Sequence, residues 1–115
     1  MALRAIIVQF VVILALAPSA SVAAPKWTFC VASETAANDV WITDVFPTTA
    51  RRESLEIDFK ALLERGGRSR IVAQCPQTSA DKVATINAQI AAEEFNRKLG
   101  SILHEILARE FPPRW

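Results

Sequence analysis

Residues 26–46, KWTFCVASETAANDVWITDVF, decide the fold. Two apolar runs flank a polar, turn-rich segment. In Lys26–Ala32 the side chains of Trp27, Phe29 and Val31 alternate with Thr28, Cys30 and Ala32. That period of two, with aromatic and β-branched residues, marks a strand. Val40–Phe46 alternates likewise, with Trp41, Thr43 and Val45 on one side and Val40, Ile42 and Phe46 on the other. Bulk on both sides implies a central strand covered by helices on one face and partly by loops on the other. The intervening Ser33–Asp39 is short enough to make the pair an antiparallel hairpin.

Working outward toward the C-terminus, Pro47-Thr48-Thr49 ends the second strand. Leu55, Phe59, Leu62 and Leu63 then recur at the spacing of one helix face, and Gly66-Gly67 suit a left-handed C-terminal cap. Arg68–Cys75 reads as a third strand ended by Pro76. Thr78-Ser79-Ala80-Asp81 supplies capping oxygens for a second helix. Its expected inward stripe is Val83, Ile86 and Ile90 with Ala84, Ala88 and Ala91, continuing to Phe95 and Leu99. Ser101–Leu107 fits either a fourth strand or more helix, and Gly100 favours the strand. Phe111-Pro112-Pro113-Arg114-Trp115 reads as an extended tail. The expected fold is a single small α+β domain over residues 24–110, ordered β-β-α-β-α-(β). Its sheet is mostly antiparallel, with two helices on one face.

Toward the N-terminus lies a segment of another kind. Met1–Arg4 carries one positive charge, and Ala5–Ala17 is a 13-residue apolar run interrupted by Gln9. Pro18 and small residues follow, and Ser21-Val22-Ala23 matches a signal-peptidase site. Residues 1–23 are therefore expected to be a signal peptide cleaved after Ala23, with the mature protein periplasmic or secreted. An uncleaved anchor is the competing reading. It needs about 20 apolar residues and would have to include Pro18, Ser19 and Ser21.

Charge and cysteine content narrow the partners. The chain has 13 basic and 12 acidic residues, and Arg4 is the only charge before Ala24, so the remainder balances at 12 of each. A neutral surface argues against nucleic acid or an anionic membrane as partner. A chain this short builds only a modest core and benefits from a covalent staple. Cys30 and Cys75 are the two cysteines, and an oxidising compartment favours their disulfide. A zinc site would need two further ligands from a chain with one histidine, and no C-x-x-C supports a redox pair.

Catalytic chemistry finds little support. No glycine-rich phosphate loop precedes a helix, and no G-x-S-x-G elbow is present. His104 is the sole histidine, flanked by Leu103 and Glu105, and no carboxylate partner is evident from its sequence neighbours. Asp44, inside an apolar strand, reads as a solvent-side or strand-end residue rather than a buried acid. Asp39 and Asp44 do not make a site by spacing alone. Arg51-Arg52 with Arg68 and Arg70 suggest a cationic patch, but Glu53, Glu56 and Glu64 favour a mixed, solvated surface. No catalytic residue, metal site or cofactor is expected. In the tail, Phe111, Arg114 and Trp115 are candidate contacts for a partner's groove, or else a cover for the sheet.

Phe29-Cys30, the strand WITDVF (41–46), Gln74-Cys75-Pro76 and Asn96-Arg97 resemble a pattern in small two-cysteine secreted proteins of proteobacteria that have no assigned activity. The resemblance spans residues 26–99. It implies a compact exported domain and carries no catalytic residues. Three function classes follow. The first is an exported, non-enzymatic module binding another protein through a sheet edge or its tail. The second is a secreted effector acting on another cell, and the third is a small enzyme or enzyme inhibitor.

Overall fold

A computed structural model describes residues 24–110. Residues 1–23, read above as a signal peptide, and residues 111–115, read as an extended tail, lie outside the described residues. Each of the two expected N-terminal strands is divided. The first becomes β1 (Lys26–Thr28) and β2 (Val31–Glu34), and the second becomes β3 (Asp39–Thr43) and β4 (Phe46–Thr48). β1 pairs with β4 from Lys26↔Thr48 to Thr28↔Phe46, and β2 pairs with β3 from Val31↔Ile42 to Ser33↔Val40, both antiparallel. Between these ladders Phe29-Cys30 face Thr43-Asp44-Val45, so one strand carries an extra residue. This is a bulge, and it reverses side-chain parity beyond it.

The reversal corrects the expected faces. Phe46 was expected opposite Trp41, yet both belong to the core that also holds Leu55 and Phe59. Thr43 is fully buried at the bulge, where its Oγ1 accepts the Cys30 N–H at 2.9 Å and donates to the Asp44 carbonyl at 2.9 Å. Pro47 does not end the strand, as expected, but sits within β4 opposite Trp27. The backbone N–H and C=O of Trp27 both bond Ser79, at 2.7 and 2.9 Å, so the Trp27–Pro47 rung demands no donor from proline.

The main sheet has the order β5-β2-β3-β6, with β5 at Ile71–Gln74 and β6 at Ile102–Ile106. β2 runs antiparallel to both β3 and β5, while β6 joins β3 in parallel. The central position of β3 and the strand at 102–106 agree with the sequence reading. The third strand begins later than expected because Arg70 adopts a left-handed φ of 56°. Cys30 and Cys75 occupy the rung after Val31↔Gln74 and form a disulfide, with Cα atoms 4.2 Å apart.

Helix α1 (Arg52–Arg65) buries Leu55, Phe59 and Leu63 against Ala32, Trp41 and Ile71. Each fully buried side chain of this size stabilises the fold by about 2–3 kcal/mol relative to exposure. Gly67, with φ +90°, turns the chain out of the helix toward β5. Helix α2 (Lys82–Lys98) starts at Asp81, whose carboxylate accepts the Ala84 N–H at 3.0 Å, and is followed by Gly100 at φ +81°. The link from β3 through α1 to β5 and the link from β5 through α2 to β6 cross the sheet in opposite directions. Right-handed crossovers in opposite directions place their helices on opposite faces. The parity of the sheet agrees: Ala32 and Trp41 pack with α1, whereas Ile42 and Glu105 line one recess with Gln89 and Glu93 of α2. The α+β class, element order and antiparallel majority hold; the helices are divided between the faces.

Helix α2 also turns a different side to the sheet than its apolar pattern suggests. Thr85 is its one buried residue, and Gln89, Ala92 and Asn96 continue the half-buried arc at i, i+4, i+7 and i+11. The bulge supplies the reason. Because the Cys30 N–H goes to the Thr43 hydroxyl, the Thr43 carbonyl is freed, and Gln89 Nε2 donates to it at 3.0 Å. A polar inner arc satisfies a buried acceptor that a leucine could not. Val83, Phe95 and Leu99 are consequently 67%, 62% and 63% exposed.

Candidate functional site

Strand register brings together four residues that the sequence keeps apart. Trp41 on β3 lies directly beside His104 on β6, and their rings stack with centroids 5.2 Å apart and planes 19° from parallel. His104 Nε2 lies 2.8 Å from Asp39 Oδ1, two residues before the tryptophan on β3. Arg68, arriving from the loop after α1, sets its guanidinium carbon 5.2 Å from the Trp41 ring centroid. Trp41 is itself buried, while the His104 and Asp39 side chains retain 39% and 25% exposure.

This cluster supplies the carboxylate partner that the sequence did not reveal for His104. The signal was hidden because the parallel β3–β6 pairing spans 65 positions between Asp39 and His104. An imidazole oriented by a carboxylate is able to accept or deliver a proton. Trp41 is buried and its ring is engaged by both His104 and Arg68, so the indole holds His104 in place rather than offering an open stacking platform. Among the described residues no group of three histidine, cysteine, aspartate or glutamate side chains is arranged to hold a metal ion.

The other sequence candidates disperse. Asp44 is exposed, and its Oδ1 accepts the Ala108 N–H at 2.8 Å, fixing the short 3-10 turn Ala108–Glu110 beneath the sheet. Asp39 and Asp44 thus serve separate partners. Arg51 and Arg52 stand at the start of α1, whereas Arg68 and Arg70 lie beyond its end. A helix of 14 residues is about 20 Å long, so the four do not form one patch. Phe111, Arg114 and Trp115 lie outside the described residues.

Two surface features remain. One flank of α2 aligns the exposed Ala84, Ala88 and Ala91 with Phe95 and Leu99, an apolar stripe whose Ala84 and Ala88 border a recess shared with Phe29 and Pro76. The sheet also ends in two strands whose outer edges are unpaired among the described residues. The Thr35–Arg70 backbone bond fixes the phase of β5, so Ile71, Ala73 and Cys75 direct their N–H and C=O groups outward. Glu56 Oε2 accepts the Cys75 N–H at 2.9 Å, leaving the groups of Ile71 and Ala73 open. On β6 the Ile102–Asn38 bond turns Leu103, Glu105 and Leu107 outward, and Glu110 accepts the Leu107 N–H at 3.3 Å. Each edge is therefore closed at one end by a glutamate and open along two residues. Such partial closure limits indiscriminate strand addition.

Comparison with known proteins finds no matching family model, no similar curated protein and no similar solved structure. No helix among the described residues is long and apolar enough to cross a membrane.

Proposed function

We propose that the protein is an exported, non-enzymatic interaction module, acting in the periplasm or outside the cell by binding another protein. The observation that carries this reading is the exposed apolar stripe along one flank of α2. A helix that turns its polar arc inward and leaves Phe95 and Leu99 more than 60% exposed presents a surface suited to a protein partner. The alanines at 84, 88 and 91 permit close approach of a second backbone, so an amphipathic helix of the partner fits best. Export is supported by the Cys30–Cys75 disulfide, by the leader-like pattern of residues 1–23 and by the resemblance to small secreted proteins. Phe111, Arg114 and Trp115 are proposed as an auxiliary contact.

The test compares capture of envelope and medium proteins by the wild-type chain and by a Phe95→Glu/Leu99→Glu variant. Loss of a specific partner at an unchanged melting temperature supports the reading. Equal capture by both removes α2 as the docking element. Mass spectrometry of the same fractions should find a chain beginning near Ala24, and an intact Met1 terminus in the membrane fraction would replace export with anchoring. Acting on another cell is the same reading with a different destination, separated by which fraction holds the partner. A small enzyme is the second reading, favoured by the Asp39–His104 contact alone. A biological defect from His104→Ala in a fully folded protein would put it first.

A further inference from the structure

We propose that the Arg68–Ser69 bond is a site for limited hydrolysis by a trypsin-like endoprotease, and that the cut leaves a two-chain protein held together by Cys30–Cys75. The inference concerns the loop between α1 and β5, and it stands whether or not α2 binds a partner.

Sequence and exposure mark the loop. Residues 64–70 read ERGGRSR, and all seven are exposed, the longest such run among the described residues. Exposed loops of small and polar residues are preferred places for nicking, because helices and paired strands must open before a protease can take their backbone. Between β1 and β6, the lysines and arginines other than Arg68 and Arg70 lie in α1 or α2, apart from Arg51 at the α1 N-cap. A cut after Lys26 or Arg109 only trims the ends.

Local bonding separates the three arginines of the run. Arg65 ends α1, and the N–H of the following Gly66 donates to the Leu62 and Leu63 carbonyls at 3.3 and 3.1 Å. The Arg70 carbonyl accepts from the N–H and the hydroxyl of Thr35, at 3.1 and 3.0 Å, and the next residue, Ile71, is buried. The bond between Arg68 and Ser69 is held least. Its N–H donates to a side chain, Glu34 Oε2, at 3.2 Å, and its carbonyl has no hydrogen-bond partner among the described residues. Gly66 and Gly67 precede it, and glycine passes from a turn to an extended form without steric penalty. The Arg68 guanidinium lies over the Trp41 ring, a contact that is weak at an exposed site, so an anionic specificity pocket can take the side chain.

In the hydrolysis one water adds across the bond. Its oxygen joins the Arg68 carbonyl carbon to give a carboxylate, and the Ser69 nitrogen keeps the electron pair of the broken bond and takes up a proton. The new Ser69 ammonium then stands at the Glu34 carboxylate that held its N–H before the cut. Arg70, at a left-handed φ of 56° that non-glycine residues seldom adopt, becomes the second residue of a chain and is free to relax.

The product stays assembled because the two segments interlock. Residues 24–68 hold β1 to β4 and α1, and residues 69–110 hold β5, α2 and β6. β5 pairs with β2 and β6 pairs with β3, so both strands of the second segment are seated on the first. Cys30 and Cys75 lie on opposite sides of the cut and join the segments covalently.

Limited digestion of the purified, oxidised full chain with trypsin tests the site. End trimming aside, the mass without reductant should rise by one water at early times. Reduction should then release two fragments, the second beginning at Ser69. Arg68→Gln should slow this cut about tenfold or more, while Arg70→Gln should leave its rate unchanged. On the wild type, the cutting rate should stay nearly flat in urea below the unfolding midpoint, as local opening requires. An earlier cut at another interior site, fragments that part without reductant, or folded Arg68→Gln cut as fast as the wild type would each overturn the proposal. So would a rate that climbs with global unfolding, or a folded chain that resists trypsin at a ratio that degrades it in urea.

Discussion

Replacing Cys30 and Cys75 together by alanine removes the one covalent link between the start of β2 and the end of β5. The two cysteines are separated by 45 positions, and the loop they close contains β2, β3, β4, α1 and β5, most of one core. The chain-entropy relation gives about 4 kcal/mol for a loop of that length at room temperature. Both cysteines are buried, so the lost sulfur packing acts in the same direction. A domain of this size has about 5–15 kcal/mol of stability in total, so the double variant should be marginal or unfolded at body temperature. At about 4–8 °C per kcal/mol, its melt should fall by about 20 °C. Urea unfolding followed by tryptophan fluorescence supplies the measurement, and it carries an internal check. Without the cross-link the unfolded chain expands, so the slope of free energy against urea should rise as the midpoint falls. Alkylation without reductant should leave both wild-type thiols unlabelled. A loss under about 1 kcal/mol with an unchanged slope would refute the reasoning, because a real constraint on a loop this long cannot be so small.

Phe59→Ala empties the centre of the α1 face and should cost about 3–5 kcal/mol, read as a shift in the urea midpoint. Asp81→Ala removes the carboxylate that caps α2 and should cost about 1 kcal/mol, with a matching small loss of helical circular dichroism. His104→Ala removes a partly exposed hydrogen-bond partner of Asp39 and a stacked ring, which together contribute about 1 kcal/mol. Trp41 emission should shift in that variant, while the export and capture behaviour of the protein should not.

The separate fates of these residues explain how far the sequence could be read. Strand and helix positions follow from local periods, and the stop signals at Gly66-Gly67 and Gly100 act within a turn of chain. The Cys30–Cys75 link was legible because only one pairing exists. What escaped is non-local. Nothing in VWITDVF announces that Thr43 offers its hydroxyl, rather than its carbonyl, to Cys30, yet that single substitution of acceptor creates the bulge, moves Phe46 onto the face of Trp41 and frees a carbonyl. The freed carbonyl then requires a donor, which Gln89 provides, and that bond turns α2 so that its most apolar residues face water.

A buried acceptor without a donor costs about 1–3 kcal/mol, comparable with burying one more large aliphatic side chain. The orientation of α2 is therefore a contest between two similar terms, and an apolar-periodicity argument weighs only one of them. The Asp39–His104 contact escaped for a related reason. It depends on β6 joining β3 in parallel, and that follows from the crossover through α2, the last element of the sheet to be placed. The same bond that decides how α2 sits on the sheet thus accounts for its exposed stripe. A Gln89→Leu variant would set the two terms directly against each other. It strips the Thr43 carbonyl of its donor and makes the inner arc apolar, and if α2 then rotates, protection of Phe95 and Leu99 from solvent should rise.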